Sequence, residues 1–370
     1  MATYLKNVAC DTQKKQLSWE NLDVESCIIK EKKNRLKWGF TWALIGAVLW
    51  GIGYVPLSAL WHVYPLNDPM FFPGEYGHFI ATLLASAGLS IGDPFIFALL
   101  FVLGQGKLSE IYRTFFNPRI SPWLFLAGFI GGVFALYGST LAIGYIGGSF
   151  SASSALLCGP IAALMARLWY KEKINKRTIA AMVVTMIGGI FIWNPLKLVE
   201  EISNSGSSWI GYVGGLMSAF GWGIEATIAG RTSDLCDTEA CVTVRQIWDA
   251  LIWVCIIIPA ASFIFGFDTI STVFIAAYTN PQFIFWEALA SASFAAAYLG
   301  MYKSYVLLGA GRGQSISSFY VIFAILSLSL FLGESFKWWL LVGSLITIGG
   351  IFIMYWESKE IILETTRDVE

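Results

Sequence analysis

Along this chain of 370 residues, stretches of apolar positions recur, each about as long as a membrane span and separated by shorter polar connections. A helix needs about 20 apolar residues to cross the hydrocarbon core. A window of that size picks out 38–60, 79–103, 121–141, 147–168, 177–194, 208–230, 243–265, 283–307, 314–333 and 337–356. The pattern predicts an all-α integral membrane protein with ten transmembrane helices. A polar segment over 1–37 precedes them and another over 357–370 follows. The first apolar run begins too far from the N-terminus and is too long to be a cleavable signal. Residues 1–37 carry Lys6, Lys14, Lys15, Lys30, Lys32, Lys33, Arg35 and Lys37. They read as a cytoplasmic tail that either fixes topology or touches the lipid surface.

The second half of the chain echoes the first. Ile-Gly-Gly-Ile-Phe-Ile occurs at 187–192 and again at 348–353, each time a short way after a Glu that ends an apolar run, Glu172 and Glu334. Trp50-Gly51-Ile52 recurs as Trp222-Gly223-Ile224. Each half, 38–194 and 208–356, holds five predicted helices. Five is odd, so the second half enters the membrane with the opposite orientation, and the expected architecture is two inverted five-helix repeats. With the N-terminus in the cytoplasm, only Lys197 and Lys337 of the 24 Lys and Arg lie outside, and Arg167 and Lys303 lie within helices. The rest are inside. That bias predicts a multi-pass protein of the plasma membrane with both termini cytoplasmic.

Composition agrees with a membrane class: 56% of residues are hydrophobic and 13% charged, against about 25% charged in soluble domains. A net charge of −1 argues against a nucleic-acid partner. Six scattered cysteines and two histidines form no metal-ligand spacing, and no cofactor is expected. Cys236 and Cys241 share one loop and are expected as reduced thiols. Enzyme signatures are missing: there is no GxSxG, HExxH or Walker A motif. The expectation is a chain that is not an enzyme. The aromatic, Pro-rich connection 61–78 reads as either a lid or a structured turn.

Four segments resemble the EamA-like branch of the drug/metabolite transporter superfamily. They are Leu49-Trp50-Gly51, its match Gly221-Trp222-Gly223, the run Ser151 to Pro160 ending at Tyr170-Lys171-Glu172, and Leu332-Gly333-Glu334 before a glycine-rich last helix. Ile322 stands where the family's second Pro would be, and Lys171 where its first motif would have Gly. The resemblance implies a basket of helices one to four and six to nine around a central cavity, with the fifth and tenth packed outside.

Charges inside a membrane cost about 2.5–3.5 kcal/mol each on insertion scales, so each needs a reason. Asp93 precedes Pro94 in an apolar run with Gly88 and Gly92 nearby, which reads either as a broken helix beside a cavity or as a loop at the surface. Glu225, whose counterpart in the first half is Gly53, is either a substrate or proton site or a structural partner of Arg231. Glu287 sits about one turn inside its helix, where a gate competes with a solvated helix start. Lys303 either snorkels to the inner surface or binds substrate. Arg245 and Asp249, four apart, read as a local salt bridge. Glu172 and Glu334 read as fixing loops. Aromatic residues are dense around these charges, and Trp50, Tyr54, Trp222, Tyr298 and Tyr302 are the candidates for a pocket wall. The function expected is secondary active transport of a small polar metabolite, an amino acid or organic amine, by alternating access and with proton coupling through Glu225 or Asp93. The alternatives are a carrier of a neutral nucleoside or sugar, and a non-transporting scaffold or sensor. The expected partners are a small-molecule substrate, the bilayer and a second copy in a homodimer.

Overall fold

The computed structural model describes residues 24–72, 76–97, 100, 104–170, 176–203, 207–233, 235–308, 310–335 and 337–355. Among them all regular structure is helical. Most of the N-terminal tail, the C-terminal tail, Lys171 and Glu172 lie outside the described residues.

In chain order the helices are α1 (Val24–Ala59), α2 (Gly77–Phe97), the short α3 (Leu108–Phe115) and α4 (Ser121–Tyr145, with a π-helical stretch over Gly128–Ala135). Next comes α5, in which Gly148–Ser154 passes through a 3-10 turn into Cys158–Tyr170. The chain continues as α6 (Lys176–Trp193), α7 (Pro195–Ser203), α8 (Trp209–Thr232) and α9 (Thr238–Phe265, π-helical over Trp253–Ile257). It ends with α10 (Phe267–Tyr278), α11 (Pro281–Leu308), α12 (Ala310–Ser317), α13 (Tyr320–Leu332) and α14 (Trp338–Tyr355).

Among the described residues, six helical segments are long and apolar enough to cross a membrane: Ile29–His62, Gly77–Phe97, Ser121–Tyr145, Gly148–Trp169, Thr238–Phe265 and Pro281–Leu308. Shorter apolar helices cover Ile179–Trp193, Phe267–Tyr278, Tyr320–Leu332 and Trp338–Ile353. Large apolar side chains cover the outside, with Phe263 at 92% exposure and Leu330 at 77%. A surface of that kind is at home in lipid.

Small residues set the packing, because apolar helices in lipid associate through close contact rather than through expulsion of water. On α6 and α14, Gly188 lies against Gly343 O and Thr347, so that a Cβ at either glycine would overlap the opposite backbone. The principal interfaces pair α1 with α11 and α13, α8 with α4 and α5, α2 with α11 and α9, and α6 with α14.

Three expectations change. Asp93-Pro94 does not break its helix: α2 runs from Gly77 to Phe97 with Pro94 inside. Pro94 lies in the last turn; it withholds the N–H that would bond the carbonyl four residues back, and the helix continues past it to Phe97. Arg245 is not merely a local partner of Asp249 but is 1% exposed and also pairs with Glu225 of α8. Cys236 and Cys241 are joined as a disulfide rather than standing as free thiols. The connection 61–78 is a turn over its described part, tied down where Asn280 Nδ2 donates to Tyr64 O at 2.7 Å.

Candidate functional site

Arg245 organises the bundle centre. From α9 its Nε lies 2.8 Å from Glu225 Oε1 on α8, an ion pair whose N–H is not aimed at the oxygen. Its Nη1 donates to Gln246 Oε1 at 2.5 Å and reaches Asp249 Oδ2 at 3.4 Å, and its Nη2 donates to Tyr298 Oη at 3.2 Å. The guanidinium also stacks 4.6 Å from the centre of the Tyr298 ring. Gln246 Nε2 extends the network to α2 by donating to Asp93 Oδ2 at 3.2 Å. Tyr302 Oη donates to Glu225 Oε1 at 3.4 Å.

Backbone geometry makes room for these groups. The π-helical stretch of α4 carries Gly131 and Gly132, and a Cβ on Gly131 would collide with the Glu225 carboxylate and one on Gly132 with that of Asp249. Single-turn π-helical insertions are rare and concentrate at functional sites. Here the insertion brings bare backbone against two carboxylates that a side chain would displace.

Counting charge gives the chemical character. Glu225, Asp93 and Asp249 are all nearly inaccessible, and among the described residues they face the single cation Arg245. A buried charge is tolerated when it is paired and costly when it is not. One oxygen of Asp93 and one of Asp249 have no hydrogen-bond partner among the described residues. The cluster therefore has capacity for more positive charge, as protons or as a cationic ligand.

An aromatic chamber lies beside the cluster. Trp50 of α1 sits edge-on to Trp222 (5.4 Å), Tyr298 (4.9 Å) and Phe294 (5.1 Å). Trp50, Trp222 and Tyr298, together with Glu225, Tyr302, Tyr305, Gln314, Cys158 and Tyr320, line a cavity of about 30 Å³. That holds two or three waters at most, given that a water needs roughly 10–15 Å³ by this measure. The pocket is thus closed to anything larger in this conformation. A second void of about 10 Å³ is walled by Asp93, Arg245 and Asp249, and Trp50, Trp222 and Tyr298 border both.

The candidates from sequence fall into three places. Trp50, Trp222, Glu225, Tyr298 and Tyr302 line the chamber, and Asp93 lines the adjoining void. Tyr54 stands behind the wall, stacked 6.4 Å from Tyr320, with its hydroxyl 3.4 Å from Ser139 Oγ. Glu287 is buried apart from the chamber against Gly88 of α2. Lys303 is elsewhere: its Nζ pairs with Glu239 Oε1 at 2.8 Å and lies over the Trp42 ring. Glu239 also binds Lys107 at 2.8 Å, and Lys107 reaches Asp237, the N-cap of α9, at 3.0 Å. This network ties the start of α9 to α11 and to Lys107, the residue before α3. Burial disfavours the Lys107 ammonium, but its bonds to Glu239 and Asp237 outweigh that and hold its pKa above the ordinary value.

Glu225 pairs with Arg245 rather than with Arg231. Sequence reasoning read Arg245 as a local partner of Asp249 and passed over Gln246. The available signal was Arg245, Gln246 and Asp249 together inside one apolar span. Gln314 and Cys158 were also passed over; Tyr305 Oη donates to Gln314 Oε1, and Gln314 Nε2 lies 3.3 Å from Cys158 Sγ. Glu334 acts at a helix end: its carboxylate accepts from Ser149 N at 3.1 Å at the start of α5.

No family model matches the chain, and no curated protein matches it. Among solved structures, a chain described only as "Crystal structure of protein" aligns over 85% of this chain and 95% of its own at 13% identity, with a TM-score of 0.47. At that level the likeness carries no argument about fold or function.

Proposed function

We propose that this protein is a secondary transporter of a small cationic or zwitterionic metabolite, an amino acid or an organic amine, working by alternating access with proton coupling. The observation that carries the reading is a closed aromatic chamber with a carboxylate in its wall, inside a cluster of three acids and one arginine. Rings attract an ammonium through their faces, worth about 2 kcal/mol when desolvated. Glu225 supplies the charge and Arg245 holds it in place. When a cation or a proton engages Glu225, the ion pair loosens and the helices that carry its two members, α8 and α9, can part.

The architecture proposed is ten transmembrane helices in two inverted five-helix repeats, 38–194 and 208–356, in the manner of EamA-like carriers. Cross-packing supports it: α1 lies on α11 and α13 as α8 lies on α4 and α5, so each half's first helix meets the third and fourth of the other. Both termini are placed in the cytoplasm and the protein in the plasma membrane, on the distribution of Lys and Arg.

The test is flux into proteoliposomes of labelled amino acids, amines, nucleosides and sugars, with and without a pH gradient. Saturable uptake of an amine or amino acid, driven by the gradient and abolished by Glu225→Gln, is expected. Uptake of a neutral nucleoside or sugar that survives Glu225→Gln would replace the cation reading. No flux from folded protein would reject transport.

A further inference from the structure

Glu287 is the one buried acid of α11 outside the chamber, and among the described residues neither of its oxygens has a hydrogen-bond partner. It sits in the second turn of α11, facing Gly88 of α2. One turn further along the same face Ser291 meets Gly92, so the two glycines of α2 register with the two polar residues of α11. Asp93 follows Gly92 directly. The hydroxyls of Ser291 and Ser90 are also buried and without partners among the described residues, as is Oδ1 of Asp93. The other oxygen of Asp93 is held by Gln246 of the Arg245 cluster.

Among the described residues, no cation faces Glu287 from the elements around it. α2 presents Asp93 and α10 presents Tyr278, whose hydroxyl converges with Glu287 Oε1 on the point a Cβ of Gly88 would occupy. From 38 to 59, α1 carries no Asp, Glu, Lys, Arg or His. On α9, Arg245 is engaged by Glu225, Asp249 and Tyr298. A metal ion is a poor fit, since no group of three or more metal-ligating side chains converges among the described residues. Backbone contact at Gly88 leaves the carboxyl closely enclosed.

We propose that Glu287 is a proton-binding site separate from the aromatic chamber, and that it exchanges its proton with Asp93, the buried acid of α2 that follows Gly92. The proton comes from water at the end of the bundle where α11 begins. On transfer Asp93 becomes the neutral acid and Glu287 the carboxylate, so charge and atoms balance. Chains of acids inside a membrane serve proton relay. The proposal deepens the transport reading by naming where its coupling proton binds, and it rests on that reading for its role in coupling.

The test is infrared spectroscopy of the full chain in lipid, recorded as a pH titration, which requires no knowledge of the solute. The native protein is expected to show a protonated carboxyl C=O band that disappears as pH rises and is missing from Glu287→Gln. Tyr278→Phe should retain the band and move the pH at which it disappears. A Glu287→Gln spectrum identical to the native one at every pH would overturn the site. Glu287→Gln should also remove the acceleration of uptake by a pH gradient; uptake that responds to the gradient as in the native protein would overturn its role in coupling. A protein that moves no solute yet shows the Glu287 band would reject transport and leave the proton site standing.

Discussion

Arg245 of α9 and Glu225 of α8 meet at 2.8 Å with side chains only 1% and 4% exposed. Truncating one partner of such a pair strands the other in a medium that cannot solvate it. Arg245→Ala is expected to destabilise the protein by about 3–5 kcal/mol. Arg245→Lys restores the charge but not the fork that reaches Glu225, Asp249, Gln246 and Tyr298 together, and should fall between the two. Thermal unfolding in detergent measures the order; equal melting temperatures for all three would contradict it.

The glycines beside the carboxylates make a separate prediction. Gly132→Ala places a methyl group on the Asp249 carboxylate, whereas Gly349→Ala on α14 meets nothing within 4 Å. The first should cost about 1–3 kcal/mol by overpacking, and the second should gain up to about 1 kcal/mol from helix propensity. Melting temperatures that move the same way would show that the close approach of α4 to the cluster is not as described.

Legibility from sequence follows the same physics. Hydrophobic runs marked the helices because spanning length and apolarity are local properties, so α1, α2, α4, α5, α8, α9 and α11 stand near their expected positions. Asp93 and Glu225 were legible as isolated acids in apolar windows. What joins them was not, because Gln246 reaches Asp93 from 153 positions away and Tyr298 reaches Arg245 from 53. The partner of Lys303 was illegible for the same reason. That partner, Glu239, is the second residue of α9, and only the fold brings that helix start beside Trp42 and Lys107.

The network around Glu239 should behave as a latch. Its pairs are partly exposed, with Lys107 at 25% and Lys303 at 24%, so its contribution to stability is about 1 kcal/mol or less. Its effect falls on opening. Glu239→Gln should leave the melting temperature nearly unchanged and speed maleimide labelling of Cys158, the buried free thiol of the chamber, as read by mass spectrometry. Unchanged labelling would remove the latch.

Charge on Lys107 sets the latch's pH range. Its pKa is raised in the fold, so the stability it contributes is complete below the ordinary value of 10.5 and is lost only as pH rises through the higher folded value. Labelling of Cys158 should therefore respond to salt, which screens exposed pairs over about 8–10 Å. A change with pH between about 5 and 8 that Lys107→Met abolishes would contradict this assignment.

Protection of Cys158 tests the central claim most directly, because Cys158 lines the same chamber as Trp50, Trp222, Tyr298 and Glu225. The measurement is the rate of maleimide labelling at Cys158 in proteoliposomes against rising concentrations of amino acids and aromatic amines. The account predicts that a transported amine slows labelling saturably in the native protein and does so no longer in Glu225→Gln. Protection by no cation, or protection of the same strength in Glu225→Gln, would contradict it.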